Sequence, residues 1–152
     1  MPNTSSRFNK GITAIYNISA SSSTQKKVAL LFKKVGMILE IQKESHMDDF
    51  TGLVGSGPAY FFYLLKVYEK RIMKISNGGL EEKNLIMSNL LDGVSKSISS
   101  GDTTEELIKA VASKKGTTEA GIKSFKNSQL LKSFDKGIAA AIKRSKEISS
   151  EF

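Results

Sequence analysis

The amino-acid sequence predicts a mainly α-helical chain preceded by a short strand–helix–strand segment. Three observations predict it. Apolar residues recur at helical spacing from His46 onward. Period-two alternation is confined to the first forty-odd residues. Two glycine-rich runs, Gly55-Ser56-Gly57-Pro58-Ala59-Tyr60 and Ser113 to Gly121, each stand where a loop turns into a helix.

Taken in order, Ile12, Ala14, Tyr16 and Ile18 alternate with smaller or polar residues, which reads as a strand. Ser19 to Ser23 forms a small-residue turn, and Ser23 or Thr24 can cap a helix reaching Lys34 or Val35. Gly36 is placed to end that helix at C′, and Met37 to Ile41 reads as a second strand. A strand pair this small is marginal in water, so it reads as the edge of a larger sheet. Further on, Tyr60, Phe61, Leu64, Leu65, Tyr68, Ile72 and Ile75 form a wide apolar stripe that stops at Asn77-Gly78-Gly79. The stripe reads as core or dimer seam rather than as a cofactor box. Leu80-Glu81-Glu82 opens the next helix, with Leu85, Ile86, Leu90, Leu91, Val94 and Ile98 on its expected buried side, and Gly101 breaks it. Thr103 with Glu106 makes a capping box ahead of Leu107, Ile108 and Val111. A short helix follows Gly116-Thr117-Thr118, and a last one runs from about Ser128 to Ile148. The expected division is a strand–helix–strand part, 1–45, and a helical part, 46–152. Apolar stripes this wide on so few helices imply that a second subunit covers part of them.

Composition narrows the classes. The net charge of +8 raises nucleic acid as a partner, but residues 1–45 carry seven bases and two acids, and 46–152 carry 16 and 13. The lysines are spread along helices among acids, with no basic block interleaved with aromatics, so a solvated surface is the preferred reading. No run of 18 apolar residues offers a membrane span, and the N-terminal residues lack the apolar core of a signal peptide. Absent cysteine removes disulfides, thiolate nucleophiles and cysteine zinc sites together, and a cytoplasmic location is expected. His46 is the only histidine, too few for a zinc site or a Ser–His pair.

Two motifs carry chemistry. Met47-Asp48-Asp49-Phe50-Thr51-Gly52-Leu53-Val54-Gly55-Ser56-Gly57-Pro58-Ala59-Tyr60 resembles the pattern M-D-x-x-T-x-L-S-G-S-G-P-A-Y, departing at Val54. Leu107 to Ile122 resembles L-x-x-x-V-x-S-P-G-G-T-T-x-A-G-L, departing at Lys114 and Lys115. Both patterns are those of the pyrroline-5-carboxylate reductase family, and Met1-Pro2-Asn3-Thr4 is similar to a third family turn. The resemblance implies a helical-bundle dimerisation domain of the 6-phosphogluconate dehydrogenase C-terminal-like type, preceded by a remnant of a Rossmann domain. It implies NAD(P)H-dependent reduction of an imino acid to L-proline. The substrate carboxylate would rest on the backbone N–H groups of Lys115, Gly116 and Thr117, and the Thr118 hydroxyl would face the ring nitrogen. A helix start offers unpaired N–H groups and positive potential to a carboxylate, so the assignment is chemically reasonable. The bland alternative is a helix capped by Thr117. Asp102 is a further substrate-site candidate, and Asn3 would lie near the nicotinamide.

Departures from the pattern matter as much. A lysine at position 115, if the loop needs positive φ there, is strained by roughly 1–2 kcal/mol or forces another loop shape. No Gly-x-Gly-x-x-Gly occurs, and the family carries that fingerprint upstream of the Asn3 turn. The expectation is that NADPH or NADH serves the complete enzyme and that this chain alone binds neither. Expected partners are a second copy, an imino acid and a separate nucleotide-binding chain, with no membrane. A non-catalytic homodimer binding proline-like carboxylates, and a basic helical nucleic-acid binder, remain as alternatives.

Overall fold

The computed structural model of the chain describes residues 1–16 and 19–151. Ile18, assigned above to the first strand, lies outside them. The fold is mainly helical, with a two-stranded parallel sheet near the N-terminus. Two compact units form: Met1–Phe62 together with the chain from Phe134 on, and Tyr63–Ser133.

In the first unit, a 3₁₀ turn at Thr4–Phe8 leads to β1, Gly11–Ile15, then α1, Ser22–Lys33, and β2, Gly36–Glu40. The strands pair in parallel from Gly11 opposite Gly36 to Ile15 opposite Glu40. The α1 cap is Ser21, whose hydroxyl accepts from the Thr24 amide at 3.2 Å, not Ser23 or Thr24. Gly36 is not the helix C′ residue either; it opens β2 at φ +151. A Cβ there would fall 1.9 Å from the Gly11 carbonyl oxygen, so strand approach, rather than helix termination, demands glycine. The expected alternation in β1 is also broken, because Thr13 is fully buried beside Ala14.

The same unit holds α2, His46–Phe50, and a π-helical turn, Thr51–Gly55, in which the Ser56 amide donates to the Thr51 carbonyl at 3.0 Å. Phe50 is buried, and Gly52 is too: a Cβ there would lie 2.6 Å from Ile142. Asp48 Oδ1 accepts from the hydroxyls of Ser145 and Ser149 at 2.8 and 2.6 Å, and Lys146 pairs with Asp49 at 3.1 Å. Tyr60 packs edge-on against Phe134 with ring centroids 6.2 Å apart.

The unit boundary falls within α3, Gly57–Ile72. The second unit contains α4, Gly79–Ile98, α5, Thr104–Val111, and α6, Thr117–Asn127. The last helix, α7, Leu130–Ser149, starts in this unit and continues into the other. Leu65 and Ile72 of α3 are buried, but Phe61, Tyr68 and Ile75 of the same apolar stripe are exposed. The expected buried side of α4 is likewise open: Leu85 is 62% and Ile98 59% exposed. The α4 residue that is buried is Lys83, 6% exposed, with its ammonium 2.5 Å from Glu69. One chain has too little surface to cover an apolar face this wide. Among the described residues, no helix is long and apolar enough to cross a membrane.

Candidate functional site

The α5–α6 connection is built from its ends. Helix α5 begins with a complete capping box: Glu106 N–H donates to the Thr103 hydroxyl, and Thr103 N–H donates to the Glu106 carboxylate. The Thr103 hydroxyl, which also donates to Glu106 Oε2 at 2.7 Å, and then the Thr103 N–H hold the Glu106 carboxyl below its ordinary pKa. After a five-residue connection, α6 starts at Thr117 with Gly116 as N-cap. Thr117 is therefore the first helical residue, and no side-chain hydroxyl caps α6.

Lys115 sits at φ +59, the left-handed region that a glycine would enter freely. For lysine this costs roughly 1–2 kcal/mol. The Lys115 N–H donates to Glu119 Oε2 at 2.5 Å, a charge-assisted bond, and the Gly116 N–H donates to the Ser113 carbonyl at 3.0 Å. The first bond along α6 runs from the Ala120 amide to the Gly116 carbonyl, 3.2 Å. Among the described residues, the N–H groups of Thr117 and Thr118 have no acceptor.

Thr118 is half-buried and lines a cleft of about 610 Å³. Leu90, Val94 and Ile98 of α4, Leu107 and Ile108 of α5 and Ile122 of α6 give this cleft apolar walls. Of the site candidates, only Thr118 lines it. Asp102 is exposed in the α4–α5 connection, where its carboxylate accepts from the Ser100 hydroxyl at 2.7 Å. Asn3 belongs to the first unit, and its side chain is engaged at both ends. Its Oδ1 accepts from Ile12 N–H at 3.1 Å, and Nδ2 donates to the Val54 carbonyl at 3.4 Å. Asn3 thereby joins β1 to the π-helical turn, and these bonds use one of its two amide hydrogens and one of its two oxygen lone pairs.

Two contributors escaped sequence reasoning. Glu119 is the variable position of the T-T-x-A-G motif, yet an acid three residues after a helix cap is a visible capping signal. The Tyr60 hydroxyl donates to the Gly52 carbonyl at 2.7 Å and satisfies a backbone group in the π-helical turn; the motif marks Tyr60 but not this bond. Among the described residues, no group of three acids or histidines could hold a metal ion.

Residues 44–148 match the family model described as pyrroline-5-carboxylate reductase dimerisation. "Pyrroline-5-carboxylate reductase 1" of Bacillus subtilis (strain 168) is 37% identical over 152 residues, covering 99% of this chain and 51% of that protein. "Pyrroline-5-carboxylate reductase" of Staphylococcus aureus (strain COL) is 32% identical over 154 residues, covering 99% of this chain and 55% of the relative. The chain thus spans about half the length of the curated relatives it matches. The crystal structure of Plasmodium falciparum pyrroline carboxylate reductase with NADP bound superposes with TM-score 0.84 at 27% identity, covering 97% of this chain and 60% of the other.

Proposed function

Since the chain belongs to the pyrroline-5-carboxylate reductase dimerisation family, we propose that it supplies the substrate loop and dimer interface for reduction of 1-pyrroline-5-carboxylate to L-proline. The observation that carries this reading is Thr118, which stands in the first turn of α6 with an unengaged N–H and lines an apolar cleft. A carboxylate at the α6 start gains from the backbone donors and the helix dipole. The Thr118 hydroxyl can then hydrogen-bond the ring nitrogen, which gains a proton as the C=N bond is reduced. Where a second subunit covers these apolar walls, the lower local dielectric would strengthen both interactions. The hydride comes from NADPH or NADH; support for that cofactor lies in the relative solved with NADP. Asn3, placed near the nicotinamide by the family resemblance, keeps one amide hydrogen and one oxygen lone pair for such a contact.

The functional unit is a dimer, supported by the family match and by the open apolar face of α4. A domain boundary near residue 45 is part of the same proposal, supported by a family match that begins at residue 44. So is a cytoplasmic location. A second reading, a non-catalytic homodimer that binds proline-like carboxylates, draws on the same loop.

One sample tests both. L-proline is expected to raise the melting temperature of the purified chain, with its apparent affinity falling about tenfold in Thr118→Ala, the worth of one hydrogen bond to a charged group. NADPH oxidation with 1-pyrroline-5-carboxylate, also lost in Thr118→Ala, would support the reductase. Stabilisation without turnover is expected of this chain alone under either reading. Turnover that appears only when a separate nucleotide-binding domain is added would favour the reductase, and its absence there the carboxylate binder. Finding neither effect would remove both readings.

A further inference from the structure

Glu119 lies in the first turn of α6, and its carboxylate turns back onto the loop that precedes it. Two observations converge on residue 115. One is its backbone, at φ +59, where a lysine stays only if its surroundings hold it. The other is the 2.5 Å bond from its N–H to Glu119 Oε2. Glu119 is the only side chain that meets the Lys115 amide among the described residues. Next along the chain, the Gly116 amide is spent on the Ser113 carbonyl. Of the three amides that the resemblance assigns to the substrate carboxylate, those of Lys115 and Gly116 are thus taken by a tethered carboxylate and a carbonyl, and that of Thr117 is open, with Thr118 beside it.

Resting on the carboxylate reading above, we propose that Glu119 is a positioning residue of the substrate loop. It clamps the Lys115 amide, holds residue 115 left-handed, and leaves the Thr117 and Thr118 N–H groups as the donors that meet the substrate carboxylate. The clamp lets a lysine stand where free entry to this conformation belongs to glycine. It also puts a fixed negative charge beside the α6 start.

The test uses the isotope-labelled full chain and has two arms. In the first, without ligand, hydrogen exchange at the Lys115 amide is expected to be about tenfold slower than in Glu119→Ala, as loss of a charge-assisted bond implies. Equal exchange in the two proteins overturns the clamp. In the second, L-proline is titrated while amide signals are followed. Those of Thr117 and Thr118 are expected to move while that of Lys115 stays. The dissociation constant is expected to rise about tenfold in Glu119→Ala and to return close to the original in Lys115→Gly/Glu119→Ala, because glycine needs no clamp. That rescue is one a merely structural loss would not give. A Lys115 signal that moves with proline, or affinity indifferent to Glu119, overturns the proposal alone. Proline that moves no amide in any variant overturns the carboxylate reading and the proposal together.

Discussion

At the scale of single residues, Asp48 shows how a side chain read as part of a motif turns out to act as a staple. Its carboxylate gathers hydroxyls from Ser149 and Ser145, near the end of α7, with Lys146 adding attraction. These partners, the Ser149 hydroxyl first, hold its pKa below the ordinary carboxylate value. The linkage has a definite sign. A carboxyl whose pKa is lower folded than unfolded adds stability that is fully present above the unfolded value of about 3.9. That stability is lost as pH falls through the folded value. Asp48→Asn should therefore lower stability at neutral pH and flatten its acid-side decline, as read from urea unfolding across a pH series. An unchanged acid limb would mean the staple is idle. The sequence placed Asp48 in a family motif but could not name partners about a hundred residues away. Lys115 is the opposite case: its departure from glycine posed the question of positive φ, and the backbone answers it at +59°.

At the scale of elements, local signals were legible and non-local ones were not. The capping box of α5 could be read directly, since Thr103 and Glu106 satisfy one another within a single turn. An eight-residue helix depends heavily on such an end. Thr103→Ala should cost about 1 kcal/mol, measured by chemical denaturation, with amide exchange speeding up in α5 before α4. A cost near zero would show that packing against α4 alone fixes the helix. The π-helical turn at Thr51–Gly55 was invisible beforehand, because nothing local distinguishes it from an α-helical run. It depends on the Tyr60 hydroxyl eight residues on and on two partners distant in sequence, the Asn3 amide and Ile142 against Gly52. The same logic explains Gly36, which sits where a helix C′ glycine would but answers instead to its neighbour in the sheet, Gly11. Of the candidate site, the position of Thr118 in the α6 first turn was readable from the Gly116-Thr117-Thr118 pattern, and the cleft it lines was not. A cleft is made by residues of three helices, and spacing along one helix cannot reveal it.

At the scale of the whole molecule, helical periodicity told which residues share a face but not what covers that face. The α4 stripe was read as buried, yet the single chain leaves it open. A second copy supplies the cover in the function proposed here. The purified chain should therefore sediment at twice the 16.6 kDa of one subunit at micromolar concentration. Leu90→Lys should shift it toward the monomer while keeping its helical circular dichroism. A wild-type chain that sediments as a monomer would sink the dimer.

Leu90, Val94 and Ile98 belong at once to that open stripe and to the wall facing Thr118. In the function proposed here, ligand capture and self-association are two equilibria sharing one surface, and mass action would tie them together. Dilution should weaken proline binding without any change in the loop, and saturating proline should tighten the association of subunits by the same factor.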